Sequence, residues 1–260
     1  ELPYDSEWVG DVDYAQLCDK EISDRRAWTI TVTVVGVLSL LTAGRRQPAY
    51  PADQDLPTIS LVVTAFNEES VLRGKLENSF ALDYPQDRLQ VIVVSDGSTD
   101  GTDDVARDFA GRPGYLFLRQ EQNAGKTAAQ NAGVRVAKGD ILVFSDANSI
   151  YAVDALRQLV RSFADARVGC VCGELHYTNP QRAAAGKGEG SYWRYEQFLK
   201  LRESLLSSAL GANGAIYALR RELFEELGAE IISDFVMPIR VWRRGYRVVY
   251  EPRAIASEFS

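Results

Sequence analysis

The sequence predicts an α/β protein with a mostly parallel, doubly wound sheet followed by a less regular half. Three observations predict it. Short apolar runs alternate with helical patterns from residue 58 onward, the order that builds parallel sheets. Those runs are apolar throughout rather than alternating, as strands buried on both faces are. Each run also breaks off into polar or small residues, which is where open parallel sheets bind ligands.

The elements follow in order. Ile59–Thr64 is a buried strand and Glu68–Phe80 a helix. Leu89–Ser95 is a second strand, and Thr102–Ala110 a helix with Thr102 as its N-cap. Tyr115–Arg119 is a third strand, and Lys126–Ala137 a helix ended by Lys138-Gly139. Ile141–Ser145 is the fourth strand. After Val153 the rhythm loosens. Asp154–Phe163 reads as a helix, Val168–Asn179 as extended, and Ala183–Gly190 as a small-residue loop. Ser191–Leu206 is a long helix with Tyr192, Trp193, Tyr195 and Phe198, and its face bearing Tyr192, Tyr195 and Phe198 is expected to pack in the core rather than form a membrane or acceptor surface. Ile216–Leu219 is a short strand, Arg221–Leu227 and Phe235–Arg243 are helices, and Tyr246–Tyr250 is a strand.

The chain of 260 residues carries a net charge of −7, which disfavours a nucleic-acid partner. Cys18, Cys170 and Cys172 have no zinc or redox spacing and read as reduced thiols. The single histidine, His176, reads as a surface or loop residue rather than a ligand. Residues 1–26 hold eight carboxylates and read as an acidic arm or peripheral helix. Residues 27–44 carry no charge and are bracketed by Arg25-Arg26 and Arg45-Arg46. Such a stretch either crosses a membrane or forms a buried strand or core helix, since helical it spans about 27 Å against a hydrocarbon layer of about 30 Å. Residues 45–57, with Pro48, Pro51 and Pro57, read as a linker.

The chemistry-bearing residues stand at the strand ends. Strand one runs into Ala65-Phe66-Asn67-Glu68-Glu69, strand two into Asp96-Gly97-Ser98-Thr99-Asp100-Gly101, strand three into Gln122-Asn123-Ala124-Gly125-Lys126, and strand four into Asp146-Ala147-Asn148-Ser149. Asp96 can accept hydrogen bonds from a uracil ring or a ribose, or form a local turn. Gly125-Lys126-Thr127 is not a Walker loop, because Gln120 stands where that motif needs glycine. Lys126 at a helix start still suits a diphosphate. Asp146 and Asn148, two apart in an extended segment, could share a Mg2+ or Mn2+ ion through their oxygens, or Asn148 could cap a helix. Asp234, before a helix, is either an N-cap or a reactive carboxylate.

Six stretches in this order resemble the family 2 glycosyltransferases of the GT-A fold. They are VVTAFNEE (62–69), VVSDGSTDGT (93–102), NAGKTAAQNAG (123–133), GDILVFSDANS (139–149), GANGAIYALRRELF (211–224) and ISDFVMPIRVWRRGYRVVYEP (232–252). The resemblance is nearest to bacterial membrane-associated synthases of the hyaluronan, cellulose and poly-N-acetylglucosamine type. It implies a nucleotide-sugar-binding half over 58–153 and an acceptor and catalytic-base half over 154–260. Ala65, Phe66, Asn67, Glu68, Asp96 and Gly97 would then line the nucleotide site, with Lys126 and Asp146 close to the diphosphate. Asp146 and Asn148 would take the metal-binding D-x-D positions, Asn148 replacing the frequent second aspartate. Asn213 and Gly214 would border the sugars, and Asp234 would be the general base of an inverting transfer from a nucleoside-diphosphate sugar, UDP-linked, to a glycan or lipid-linked acceptor. Ser233 departs from the usual acidic pair. The Q-x-x-R-W motif of processive members is absent from the 260 residues, and a longer natural sequence is expected. The resemblance also implies that 27–44 is membrane-associated at a bacterial inner membrane, with the catalytic domain in the cytoplasm.

Overall fold

The computed structural model describes residues 52–177, 187–209 and 211–258. The acidic arm, the apolar stretch 27–44 and most of the linker lie outside the described residues. Among the described residues no helix is long and apolar enough to cross a membrane.

One eight-stranded sheet organises the chain, in the order β3-β2-β1-β4-β7-β6-β8-β5. Strands β1 (Ile59–Ala65), β2 (Leu89–Asp96), β3 (Tyr115–Gln120) and β4 (Ile141–Asp146) are parallel neighbours. Their crossovers are α1 (Glu69–Phe80), α2 (Thr102–Arg107) and α3 (Lys126–Arg135). Every residue of β1 is buried, its two polar residues Ser60 and Thr64 included, as its largely apolar text predicts. Ile59, Leu61 and Val63 enter a core with Leu72 and Leu76 of α1. Val62 faces the other way, against Ala129 of α3. Helices thus cover both faces, the doubly wound arrangement the sequence predicts.

Beyond β4 the chain turns at once into β5 (Ser149–Tyr151), then α4 (Ala155–Arg161), β6 (Val168–Tyr177), α5 (Lys187–Leu206), β7 (Tyr217–Arg220), α6 (Ser233–Arg243) and β8 (Arg247–Glu258). Strand β7 is antiparallel to both β4 and β6, and β5 is antiparallel to β8, so the second half is mixed. Phe144 of β4 stacks on Tyr217 of β7 with ring centroids 4.8 Å apart, a pairing that adds roughly 1 kcal/mol beyond area burial.

Several expectations change. Thr102 is inside α2 rather than its cap, because its hydroxyl bonds to Asp100 Oδ1 at 2.5 Å and accepts the Glu68 N–H at 2.8 Å. The helix read over Arg221–Leu227 is a single 3-10 turn, Arg221–Leu223. The next residues are held extended by Phe224 stacking on Phe144 at 6.0 Å and by Leu227, whose carbonyl accepts Asn131 Nδ2 at 2.8 Å. Helix α5 already begins at Lys187, inside the segment read as a loop. Its Tyr195 and Phe198 are exposed, at 56% and 39%, so they do not face the core. Half-buried Leu201 and buried Ser204 lie on the packed side instead. The compact domain also starts before Thr58, since Leu56 is buried and Arg157 bonds to Asp53 at 2.7 Å. Cys170 and Cys172 are buried and in no disulfide, and burial pushes the Cys170 thiol well up. His176 is on the exposed end of β6, 2.7 Å from Glu174 Oε1.

Candidate functional site

The carboxyl ends of β1, β2 and β4 open into a cleft of about 360 Å³. Thr64, Ala65, Phe66 and Glu68 line it from the first strand end, Asp96 from the second, and Asp146, Ala147 and Asn148 from the fourth. Asn123, Gly125 and Lys126 come from the loop that opens α3. The cleft lies where chain order reverses between β1 and β4, the place at which such sheets bind ligands.

Asp96 is 3% exposed and ends β2. Its two carboxylate oxygens accept the N–H groups of Ala124 and Gly125, both at 2.8 Å. It therefore fixes the loop that delivers Lys126 as well as bordering the cleft. Gly125 makes that loop feasible: its φ of 93° and ψ of 157° is a backbone region that only glycine occupies readily. Gly97, with φ of 70°, lies so close to this loop that a Cβ would overlap the backbone of Gln122 and Asn123. Asn67 has a positive φ of 55°. Its Oδ1 accepts the Thr99 N–H at 2.8 Å, and its own N–H reaches Ser98 Oγ at 3.1 Å, so it ties the first strand-end loop to the second. Gly97 and Asn67 are not among the residues lining the cleft; they shape the loops that do. Phe66 is 46% exposed at the rim, an apolar platform beside polar walls.

Lys126 Nζ pairs with Asp146 Oδ1 at 2.5 Å and lies 3.4 Å from the Gly214 carbonyl oxygen. A Cβ on Gly214 would fall on the Asp234 carboxylate and 2.9 Å from Lys126 Nζ. Glycine there is what lets Asp234 approach Lys126, and through Lys126 the cleft. Asp234 is half-buried in the first turn of α6, whose cap position is Ile232, so Asp234 is not the cap. The segment leading to it is anchored to α3: Thr127 Oγ1 donates to the Ile231 carbonyl at 2.6 Å. Asn213 forms the tight turn before β7, its N–H reaching Cys172 Sγ at 3.0 Å and its carbonyl accepting the Ile216 N–H at 3.0 Å. Asp146 thus pairs with Lys126, Asp96 holds the loop that carries it, and Asp234 comes near it at Gly214; Asp234, Asn213 and Gly214 are not among the residues lining the cleft.

Asp146 and Asn148 share the cleft for a different reason from the one expected. Residues 147 and 148 form a turn between β4 and β5, not an extended segment. Negative charge is crowded here. Burial, then Asp146, Asp100 and Glu258, push the Glu68 carboxyl above its ordinary value. No cluster of three or more His, Cys, Asp or Glu side chains suited to a metal occurs among the described residues. One carboxylate and one amide oxygen nevertheless fit a hard divalent cation that keeps water and phosphate oxygens as its remaining ligands.

Sequence reasoning missed Lys75. It is completely buried on α1, donates from Nζ to the Ser149 carbonyl at 2.6 Å, and lies 3.8 Å from the Tyr151 ring centroid. Burial lowers its pKa to about 7, against the opposing pull of Asp146 and Glu258. The available signal was a lysine at a core position: Leu72, Lys75, Leu76 and Ser79 are the buried stripe of α1.

Comparisons with known proteins bear on the family and the fold. The sequence model described as Glycosyl transferase family 2 matches residues 60–228, more than half of the chain. A probable glycosyltransferase, YdaM, of Bacillus subtilis (strain 168) is 28% identical over 226 residues, 79% of this chain and 51% of that protein. A poly-beta-1,6-N-acetyl-D-glucosamine synthase of Staphylococcus aureus is 24% identical over 206 residues, 77% of this chain and 50% of that protein. The chain thus spans about half the length of the curated relatives it matches. Among solved structures, the mannosyltransferase PcManGT from Pyrobaculum calidifontis, in complex with GDP-Man and Mn2+, superposes with a TM-score of 0.71 at 27% identity, covering 89% of this chain and 66% of that one. S. aureus TarS, at a TM-score of 0.61 and 15% identity over 78% of this chain and 60% of its own, shares the fold.

Proposed function

The chain belongs to glycosyl transferase family 2, and from that premise we propose that it transfers one sugar from a nucleoside-diphosphate sugar, UDP-linked, to a glycan or lipid-linked acceptor with inversion. The observation that carries the reading is the meeting of Lys126, Asp146 and Asp234 at Gly214, beside a cleft whose loop Asp96 holds. Residues 58–153 supply the donor half and 154–260 the acceptor half. A GDP-linked donor is the second reading, favoured by the neighbour that holds GDP-Man.

Each residue has a role that its placement supports. Phe66 offers its exposed ring to the base, in company with Ala65 and Glu68. Asp96 keeps Ala124 and Gly125 in place, so that Lys126 and the start of α3 present positive charge to the diphosphate. Asp146 and Asn148 would hold a Mg2+ or Mn2+ ion, which supplies charge neutralisation to the departing diphosphate when bound. Lys126, now paired with Asp146, is free to turn toward the phosphates once that carboxylate has another cation to serve. Asp234 takes the proton from an acceptor hydroxyl as that oxygen attacks the anomeric carbon. Asn213 and Gly214 border the sugars from the opposite wall. The uncharged residues 27–44 support membrane association, with this domain on the cytoplasmic side.

The test is a panel of UDP- and GDP-sugars with Mn2+ or Mg2+, read as metal-dependent hydrolysis or thermal stabilisation. Asp146→Ala should lose metal-dependent nucleotide binding. Asp234→Asn should keep it while turnover falls by roughly 10²–10⁴. Normal turnover in Asp234→Asn refutes the base assignment, and stabilisation by no nucleotide sugar refutes the donor.

A further inference from the structure

Lys75 has no part in the reading above, yet it lies directly beneath it. Its ammonium bonds to the carbonyl of Ser149, the residue that follows Asn148. A completely buried amine is costly, and folds seldom retain one without a use. Holding the β4–β5 turn in place is not that use, because other groups already do it. Asn78 exchanges two hydrogen bonds of 2.9 Å with the Tyr151 backbone, Ser149 Oγ bonds to Glu258 Oε1 at 2.7 Å, and the Tyr151 hydroxyl is within 3.0 Å of the Ala215 carbonyl and 3.1 Å of that of Phe144. What Lys75 alone adds is an ammonium that cannot move away, and burial confines its charge to pH values below about 7.

That charge acts on a candidate metal site whose two side chains, Asp146 and Asn148, carry one negative charge between them, with the Glu68 carboxyl lining the same cleft. Asn148 is neutral at the second ligand position, and Lys126 already pairs with Asp146. The charged groups that act on Lys75 are Asp146 and Glu258. Building on the function proposed above, we infer that the protonated Lys75 is a positive charge held under the turn carrying Asp146 and Asn148, and that it weakens the grip of the donor-free cleft on a free divalent cation. A cation arriving alone meets, besides the Glu68 and Asp146 carboxyls, the Lys126 ammonium in the cleft and the buried Lys75 ammonium beneath it, of which only the second acts through a poorly screening interior. A cation arriving with a diphosphate brings its own anion, and the same two ammonium groups then attract. Lys75 is in this sense a positioning residue: it acts on the donor through the charge balance of the turn and touches no reacting atom.

The test uses the whole 260-residue chain at pH 6.5. Free Mn2+ is followed by electron paramagnetic resonance, with and without UDP, for the parent, Lys75→Met and Lys75→Gln. Met keeps the shape without charge, and Gln also keeps a donor for the Ser149 carbonyl, so either folded variant suffices. Both should bind Mn2+ alone about fivefold more tightly than the parent, and the gain should shrink or reverse when UDP is present. Asn78→Ala, which loosens the turn without changing charge, should weaken Mn2+ binding under both conditions. Unchanged or weaker Mn2+ binding in the neutral variants without UDP overturns the role of Lys75 while leaving the proposed function standing. A parent that binds no Mn2+ with UDP, or with GDP in its place, overturns both.

Discussion

Replacing Lys75 with Met should change how stability depends on pH, and the size of the change follows from the burial of the amine. In the folded chain the pKa of Lys75 falls from 10.5 to about 7. Between those values the unfolded chain holds a proton that the folded chain releases, so stability rises with pH across the interval. The contribution is fully present above 10.5 and is lost as pH falls through about 7. At about 1.4 kcal/mol for each pH unit, the interval amounts to ~5 kcal/mol. Met has no proton to gain. It does abandon the Ser149 carbonyl in a buried place, at a cost of about 2 kcal/mol. Lys75→Met should therefore be about 3 kcal/mol more stable than the parent at pH 6 and about 2 kcal/mol less stable near pH 10.5. Urea unfolding followed by circular dichroism at unit steps from pH 6 to pH 10 measures both curves. Subtracting them cancels the other titrating groups, among them Tyr84 and Tyr115, whose hydroxyls burial also shifts upward. A difference that stays flat over this range would mean that the amine is not buried as described, or that water reaches it.

Two further outcomes follow from the loops. Gly97→Ala should cost at least ~2 kcal/mol by thermal unfolding, because φ of 70° is strained for alanine and its methyl would meet the Gln122–Asn123 backbone; a change within ±0.5 kcal/mol would contradict that packing. Asp96→Ala frees two backbone N–H groups held at 2.8 Å. Each such charge-assisted bond is worth about 1.5–3 kcal/mol, so UDP affinity by calorimetry should fall at least tenfold, and an unchanged affinity would show that the loop keeps its shape without Asp96.

The first half of the sheet was legible because its residues obey one rule at a time. Seven consecutive buried positions in β1 leave no choice but a central strand, and the loops at the strand ends could be placed from topology alone. The half beyond β4 was less legible because its elements answer to distant partners. Residues 224–227 could be helical by local preference, but Phe144 and Asn131 hold them extended. Tyr195 and Phe198 look like core residues until α5 is seen to pack through Leu201 and Ser204. Short β5 was invisible because its pairing partner, β8, lies about a hundred residues later.

The candidate site divides in the same way, and its misreadings share one cause. Asp96, Lys126 and Asp146 were picked out from their places at strand and helix ends, and all three line one cleft; Asp234 was picked out through the family resemblance and lies near Lys126 without lining that cleft. Sequence order fixes where such residues stand, but not which groups their side chains bond. So Asp96, read as a ligand for a base, also spends both oxygens on its neighbouring loop, and Asn67 spends its amide oxygen on Thr99. Lys75 is the converse case. Its spacing from Leu72 and Leu76 says core, and its chemistry says surface. When periodicity and polarity disagree at one position, the periodicity is set by the whole helix and the polarity by one residue, so the helix decides the placement. The residue is then buried at a cost that a plain scaffold would shed by substituting an apolar side chain. A lysine retained on the core stripe of a helix beside a strand-end loop is therefore a position at which to test for an electrostatic role in that loop.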